Sequence, residues 1–250
     1  MACGDPDAVT QPDEPDEPPS ETEYEATLTV LESPEHGPQL CGAVAESYPP
    51  QCGGPEVVGW DWAAVEHESA NGTRWGDYHV VGTWADGTFT LTRPAAAPGP
   101  PREGDGPDFS PACDDPEVVD PAHGQEQWEG VTIPEQVALW VSDPQGDWDG
   151  PFVLSVVVRP GAREAARTAI REAYLGPLCL TEQDAPTEAE LLEVQSEIDL
   201  RQIGGVASYP DTRAGSVVVE VWVADEEAIA AAEERWGDLV ELRGILQPVT

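Results

Sequence analysis

The chain has 250 residues, is 40% hydrophobic and carries nine Trp, enough apolar material for one or two packed domains. Its formal net charge is -38, all eleven basic residues are Arg, and no segment is basic, so the phosphate neutralisation that nucleic-acid affinity depends on is missing. An anionic membrane surface would repel the body, and no apolar run is long enough to cross a membrane as a helix.

Residues 1–22 hold seven acids, five prolines and no base, which predicts an extended, disordered tether. The chain has five cysteines, Cys3, Cys41, Cys52, Cys113 and Cys179, with no CxxC and no metal-type spacing. Four of them in otherwise ordinary sequence predict two disulfides and an oxidising compartment. Cys3 is left over. "ACG" followed by an acidic, proline-rich spacer resembles the maturation site of bacterial lipoproteins. That resemblance implies a lipid on Cys3 and an extracytoplasmic protein held at the outer face of the cell membrane, touching the membrane only through that anchor.

From residue 23 to 93 the pattern becomes strand-like. "YEATLTVLE" alternates, "EVVGWDW" is a short apolar run, and "YHVVGTWADGTFTLT" places Asp86-Gly87 between two β-rich arms, a strong hairpin signal. Gly82 in the first arm suits a bulge. Four or five strands without helical periodicity predict a small all-β barrel of the oligomer-binding (OB-like) kind. Cys41 and Cys52 flank a Pro/Gly-rich loop, so pairing them closes it locally and contributes roughly 3 kcal/mol in the chain-entropy model. "LCG", "SYPPQCGG", "GWDW" and "RWGDYHVVGTW" together resemble an extracytoplasmic domain recurrent in secreted proteins and lipoproteins of high-GC Gram-positive bacteria. Tyr48, Trp60, Trp62 and Trp75 are the candidate binding residues of this domain, an aromatic platform for sugar rings or a protein partner, with core packing as the alternative role. His67 and Glu68 lack a second His at metal spacing and read as a surface loop.

Residues 94–130 are dominated by Pro, Gly and acids and read as a linker pinned at Cys113. In residues 131–250, "FVLSVVV" is a buried-strand run, and Ala162, Ala165, Ala166, Ala169, Ile170, Ala173 and Tyr174 recur on one helical face. Thr187 with Glu190 makes a capping box for a second helix, and Asp225 opens a third after "SVVVEVWV". The order βα(α)ββαβ resembles the split-βαβ, ferredoxin-like fold with an inserted helix, its two Val-rich strands central in one sheet. Cys179 lies in the insert, so a bond to Cys113 would tie the linker to this domain. The predicted fold class is thus α+β, an OB-like barrel followed by a ferredoxin-like domain.

No phosphate loop, nucleophile elbow or free thiolate accompanies these elements, and the "SDPQGDWDG" loop fails the EF-hand register. The sequence therefore points to no catalytic residue, no cofactor and no metal. Arg163, Arg167 and Arg171 form one basic stripe, read as paired with neighbouring acids, with docking of an acidic partner as the sharper alternative. The leading expectation is a non-catalytic cell-surface lipoprotein that binds a protein or envelope polysaccharide. The alternatives are a secreted hydrolase using a carboxylate pair and a peptidase-inhibitor or propeptide-like module.

Overall fold

β-Branched and aromatic residues recur through the strands between Glu23 and Leu91, and these strands form a ring. A computed structural model describes residues 22–100, 108–120, 128, 130–143 and 152–249. The tether at residues 1–21 with Cys3, and most of the acidic loop at residues 142–150, lie outside the described residues. The strands of the first part are β1 (Glu23–Ser33), β2 (His36–Cys41), β3 (Glu56–Val58), β4 (Glu68–Ala70), β5 (Thr73–Ala85) and β6 (Thr88–Leu91). β1 pairs with β2 on one edge and with β5 on the other, while β2 leads through β3 and β6 back to β5, so the ring closes. Closure leaves these strands without a long exposed edge.

Alternation fills the interior. Ala26 and Val30 of β1, Tyr78 and Val80 of β5, and Phe89 of β6 point into one core, while Thr27, Asp77 and His79 stand on the opposite face. The β5–β6 connection is the expected two-residue hairpin, with Asp86 at φ 49° and Gly87 at φ 76°, the left-handed pair of a type I′ turn. The expected bulge at Gly82 is absent. The registers of β5 with β1 and with β6 both run through Gly82 without a shift. Gly82 is instead a point of close approach, where a Cβ would sit 2.2 Å from the Thr90 carbonyl oxygen and 2.9 Å from the Phe89 ring.

The second part is α+β. It holds β7 (Gln136–Ser142), β8 (Val153–Val158), α1 (Arg163–Arg171), β9 (Leu178–Glu182), α2 (Glu188–Ser196), β10 (Gly205–Asp211), β11 (Ser216–Val221), α3 (Glu226–Trp236), β12 (Val240–Gly244) and β13 (Gln247–Pro248). The two Val-rich strands are central, but each in its own three-stranded sheet, β7-β8-β9 and β10-β11-β12. This corrects the single ferredoxin-like sheet. A strand has two edges, and β8 spends one on β7 and the other on β9, so none remains for β11.

Ala166 and Ile170 of α1, with Tyr174 just beyond it, cover Leu154, Val156 and Val158. α2 opens with the expected capping box, Thr187 accepting from the Glu190 N–H while the Glu190 carboxylate accepts from the Thr187 N–H at 2.8 Å. Its Leu191 packs on Val217, Val219 and Val221. Asp225 caps α3 by accepting from the Ala228 N–H. Both expected disulfides are present, Cys41–Cys52 and Cys113–Cys179, each with Cα atoms 5.6 Å apart. Near the second, Glu117 and Leu178 exchange backbone hydrogen bonds of 2.8 and 2.9 Å, so this stretch of the linker lies as a strap on the edge of β9.

The chain finally returns to the barrel. β13 pairs antiparallel with β1, Leu246 is buried in the barrel core, and Trp222 stacks on Trp84 with ring centroids 6.2 Å apart.

Candidate binding surface

The four aromatics singled out in the sequence do not form one platform. Trp60 and Trp62 are not on a strand: Trp62 begins a single 3-10 turn, Trp62–Ala64, capped by the Asp61 side chain. Trp62 is only 7% exposed and belongs to the barrel interior, which corrects its place in an exposed platform. Its indole N–H donates to Glu32 Oε2 at 2.6 Å, and Arg74 donates to the other oxygen of the same carboxylate at 2.6 Å. Trp60 packs edge-on against both Trp62 and Tyr78, at 5.3 and 4.9 Å, and the Tyr78 hydroxyl donates to the Glu66 carbonyl. These groups fasten the segment from Gly59 to His67 over one end of the barrel.

The electrostatics fit that structural role. Burial pushes the Glu32 carboxyl up, but the hydrogen bonds from Arg74 and Trp62 outweigh it and hold Glu32 below the ordinary glutamate range. Burial, helped by the neighbouring Asp77 carboxylate, raises the Tyr78 phenol.

Tyr48 and Trp75 stand apart from this cluster. Tyr48 is 78% exposed on the loop that Cys41–Cys52 closes, and it meets the half-buried Trp75 edge to face at 5.9 Å. Trp75 lies on the outer face of β5, where the side chains alternate with the core residues Tyr78 and Val80. Along that face, the Thr29 hydroxyl donates to Asp77 Oδ1 at 2.5 Å, the His79 Nδ1 lies 3.4 Å from the Thr27 hydroxyl, and its Nε2 lies 3.6 Å from the Glu25 carboxylate. Glu25, Thr27 and His79 line a groove of about 700 Å³ whose other walls are Ala97–Pro100, Ile245 and Gln247. The outer β1–β5 face thus carries an aromatic corner at one end and a row of hydrogen-bonding side chains leading into a groove. Glu25, Thr27, Thr29, Asp77 and His79 were not singled out from the sequence, although the alternation in "EATLT" and "WGDYH" marks them as one face.

The Arg163, Arg167 and Arg171 stripe is engaged within the molecule. Arg167 donates to Glu117 at 2.5 Å and to Glu164 at 3.1 Å, Arg163 lies 3.9 Å from Glu117, and Arg171 donates to the carbonyls of Tyr174, Gly176 and Glu117. Its use is to hold the strap. His67 packs against Trp62 at 5.1 Å, and among the described residues no three His, Cys, Asp or Glu side chains are grouped to hold a metal ion. No family model, curated protein or solved structure matched the chain in comparison.

Proposed function

We propose that this chain is a non-catalytic, extracytoplasmic lipoprotein, tethered through Cys3, that captures an envelope polysaccharide or a cell-surface protein on the outer β1–β5 face of an OB-like barrel. The observation that carries the reading is the exposed Tyr48 against the half-buried Trp75, in line with Asp77, Thr29, His79 and Thr27. An aromatic face suits the C–H side of a sugar ring or an apolar anchor, and a row of donors and acceptors suits hydroxyl or amide groups. The strand ring with parallel β3 and β6 supports the OB-like reading of the barrel.

Sedimentation with purified cell-envelope material tests this. Tyr48→Ala with Trp75→Ala should weaken capture by about 1 kcal/mol or more, the size of a modest hot spot, with unchanged circular dichroism. Undiminished capture by the folded double variant would remove this face as the site. In the native host, Cys3→Ala should move the protein from the detergent phase to the medium.

A further inference from the structure

The second part of the chain is one ββαβ unit built twice. In the first unit Gln136 faces Val158 and Ser142 faces Val153; in the second, Gly205 faces Val221 and Asp211 faces Ser216. Both antiparallel ladders slip once and at the same step, between Gln136 and Ala138 and between Gly205 and Ala207. The parallel ladders also match, running from Leu154–Leu178 to Val158–Glu182 and from Val217–Val240 to Val221–Gly244. Each then gains one more rung: the Gln183 N–H donates to the Val158 carbonyl at 2.9 Å, and the Ile245 N–H to the Val221 carbonyl at 2.8 Å. The repeat therefore claims Ile245 for the second unit.

That claim leaves an opening in the barrel. β13 pairs with β1 through Glu25–Gln247 and Tyr24–Pro248, and the Val249 N–H donates to the Glu23 carbonyl at 2.9 Å. Continued, this register would set Ile245 opposite Thr27, but the Ile245 N–H is already engaged. β2 takes up the same edge of β1 only from Thr29, opposite Cys41. Alternate residues of a strand turn both main-chain groups to one side, and β1 runs beside β5 from Glu23 to Glu32 without a shift, so Thr27 faces the same edge as Glu23 and Glu25. Its N–H and C=O have no backbone partner among the described residues. Between β13 and β2 the edge is thus open at Thr27, which lines the groove together with Glu25, His79, Ile245 and Gln247.

We propose that this opening holds a vicinal diol of an uncharged polysaccharide whose rings run on towards Tyr48. The inference rests on the β1–β5 reading above and names its ligand. Within one strand residue the N–H and C=O stand side by side and point the same way. Two adjacent hydroxyls of one sugar ring match them, one accepting from the N–H and the other donating to the C=O. A peptide lying along the edge needs a longer run of unpaired main chain, and β13 and β2 block it on either side. Charge narrows the choice of polymer. Glu25 and Asp77 are carboxylates on this face, and the nearest basic residues in sequence, Arg74 and Arg93, are held by Glu32 and Glu23 at 2.6 Å each, so a phosphate- or carboxylate-bearing polymer is repelled. From Thr27 to Leu31, which lies opposite Trp75, the strand covers about 13 Å at about 3.3 Å per residue, more than a disaccharide spans.

The probe is envelope polysaccharide of the native host, freed of protein by protease, separated into uncharged and anionic pools by anion exchange, and cut to fragments of defined length. The readout is the Thr27 amide of the isotope-labelled full chain in NMR. Tetrasaccharides of the uncharged pool should shift that signal, slow its solvent exchange and bind at least tenfold tighter than disaccharides. Periodate, which cleaves the carbon–carbon bond between vicinal hydroxyls, should abolish the shift, and the anionic pool should leave the signal unmoved. Tyr48→Ala with Trp75→Ala should weaken tetrasaccharide binding at least tenfold while the Thr27 shift at saturation persists. If the double variant binds undiminished and Thr27 still shifts, the aromatic corner falls and the opening stands. Fragments that the double variant binds more weakly but that leave Thr27 unmoved, or move it equally after periodate, overturn the proposal and spare the corner. Binding carried only by protease-sensitive material would make the ligand a protein and overturn it as well.

Discussion

In the unit built on β8, a helix, a disulfide and an acidic strap converge on one sheet. In the unit built on β11, α3 leaves Ile229 38% exposed, and much of the cover comes from α2 and from contact with the barrel. The register is the same, yet the means of support are not. A pairing scheme fixed by the backbone tolerates a change in what lies over it, provided each face and edge is covered by something or left polar. Covalent and ionic fixings are gathered on the first unit, and the second is held by neighbours.

The largest break in this comparison should come from the core beneath α1. Tyr174 is 1% exposed, and its hydroxyl donates to the Pro177 carbonyl at 3.0 Å. Tyr174→Ala should cost about 3–5 kcal/mol in urea unfolding, whereas Ile229→Ala on the thinly packed α3 should cost under about 1 kcal/mol. Equal losses would mean that α3 carries its unit after all.

Removing the strap's covalent fixing comes next. Replacing Cys113 and Cys179 by Ala should cost about 4 kcal/mol in the chain-entropy model, against about 3 kcal/mol for the shorter loop closed by Cys41 and Cys52. Thermal melts of the two double variants measure the difference. The strap variant should also speed exchange at the Leu178 amide, which now bonds to Glu117.

The smallest effect concerns α2, which serves the second unit. Thr187→Ala should cost about 1 kcal/mol by removing the side-chain cap. Glu190 in the same box is held below the ordinary glutamate range by the Thr187 N–H, and by the Arg159 guanidinium 2.6 Å away. A carboxylate depressed in the folded state contributes stability that is full above its unfolded value of about 4.3 and lost as pH falls through the folded value. Glu190→Gln should therefore lower stability at neutral pH and flatten its acid dependence below about pH 4.3. A variant with the wild-type acid slope would show that this carboxylate does not contribute through its charge.

Much of the local structure was legible because the signals were local. Asp86-Gly87 demanded a turn with two positive φ angles, Thr187 and Glu190 spelled a capping box, and the cysteines had few sensible pairings. What was illegible was which strands become neighbours. A continuous apolar run such as Val153–Val158 says that both faces are buried, but not which strand lies beside it. "QVALWVS", within residues 131–250, was not singled out as a strand beside the acidic loop that follows it, and without β7 the remaining elements fitted one sheet. The duplication was hidden for the same reason: the two units share backbone register but few side chains, and Ile229, which the count from the helix start sets against the buried Ala166, is 38% exposed. At the candidate site, Trp60 and Trp62 were read from spacing alone, and spacing does not reveal that Glu32, thirty residues away, draws the Trp62 indole inward. The outer face of β1–β5 needed the register of two strands some fifty residues apart before Thr29 could be seen beside Asp77.

The return of the chain to its first strand bears on the order in which the protein can be made. Leu246 completes a core whose other members lie mostly between Ala26 and Phe89, and Pro248 lies opposite Tyr24 in β1. A chain emerging from the ribosome can close the ring of β1 to β6 early, but that barrel lacks a core residue and a flanking strand until residue 248 is free. Long-range pairings of this kind form late. The barrel is thus provisional throughout synthesis and becomes final only when both halves are present, so truncation before Leu246 should leave an early-folded but loosened domain, open to proteolysis along β1.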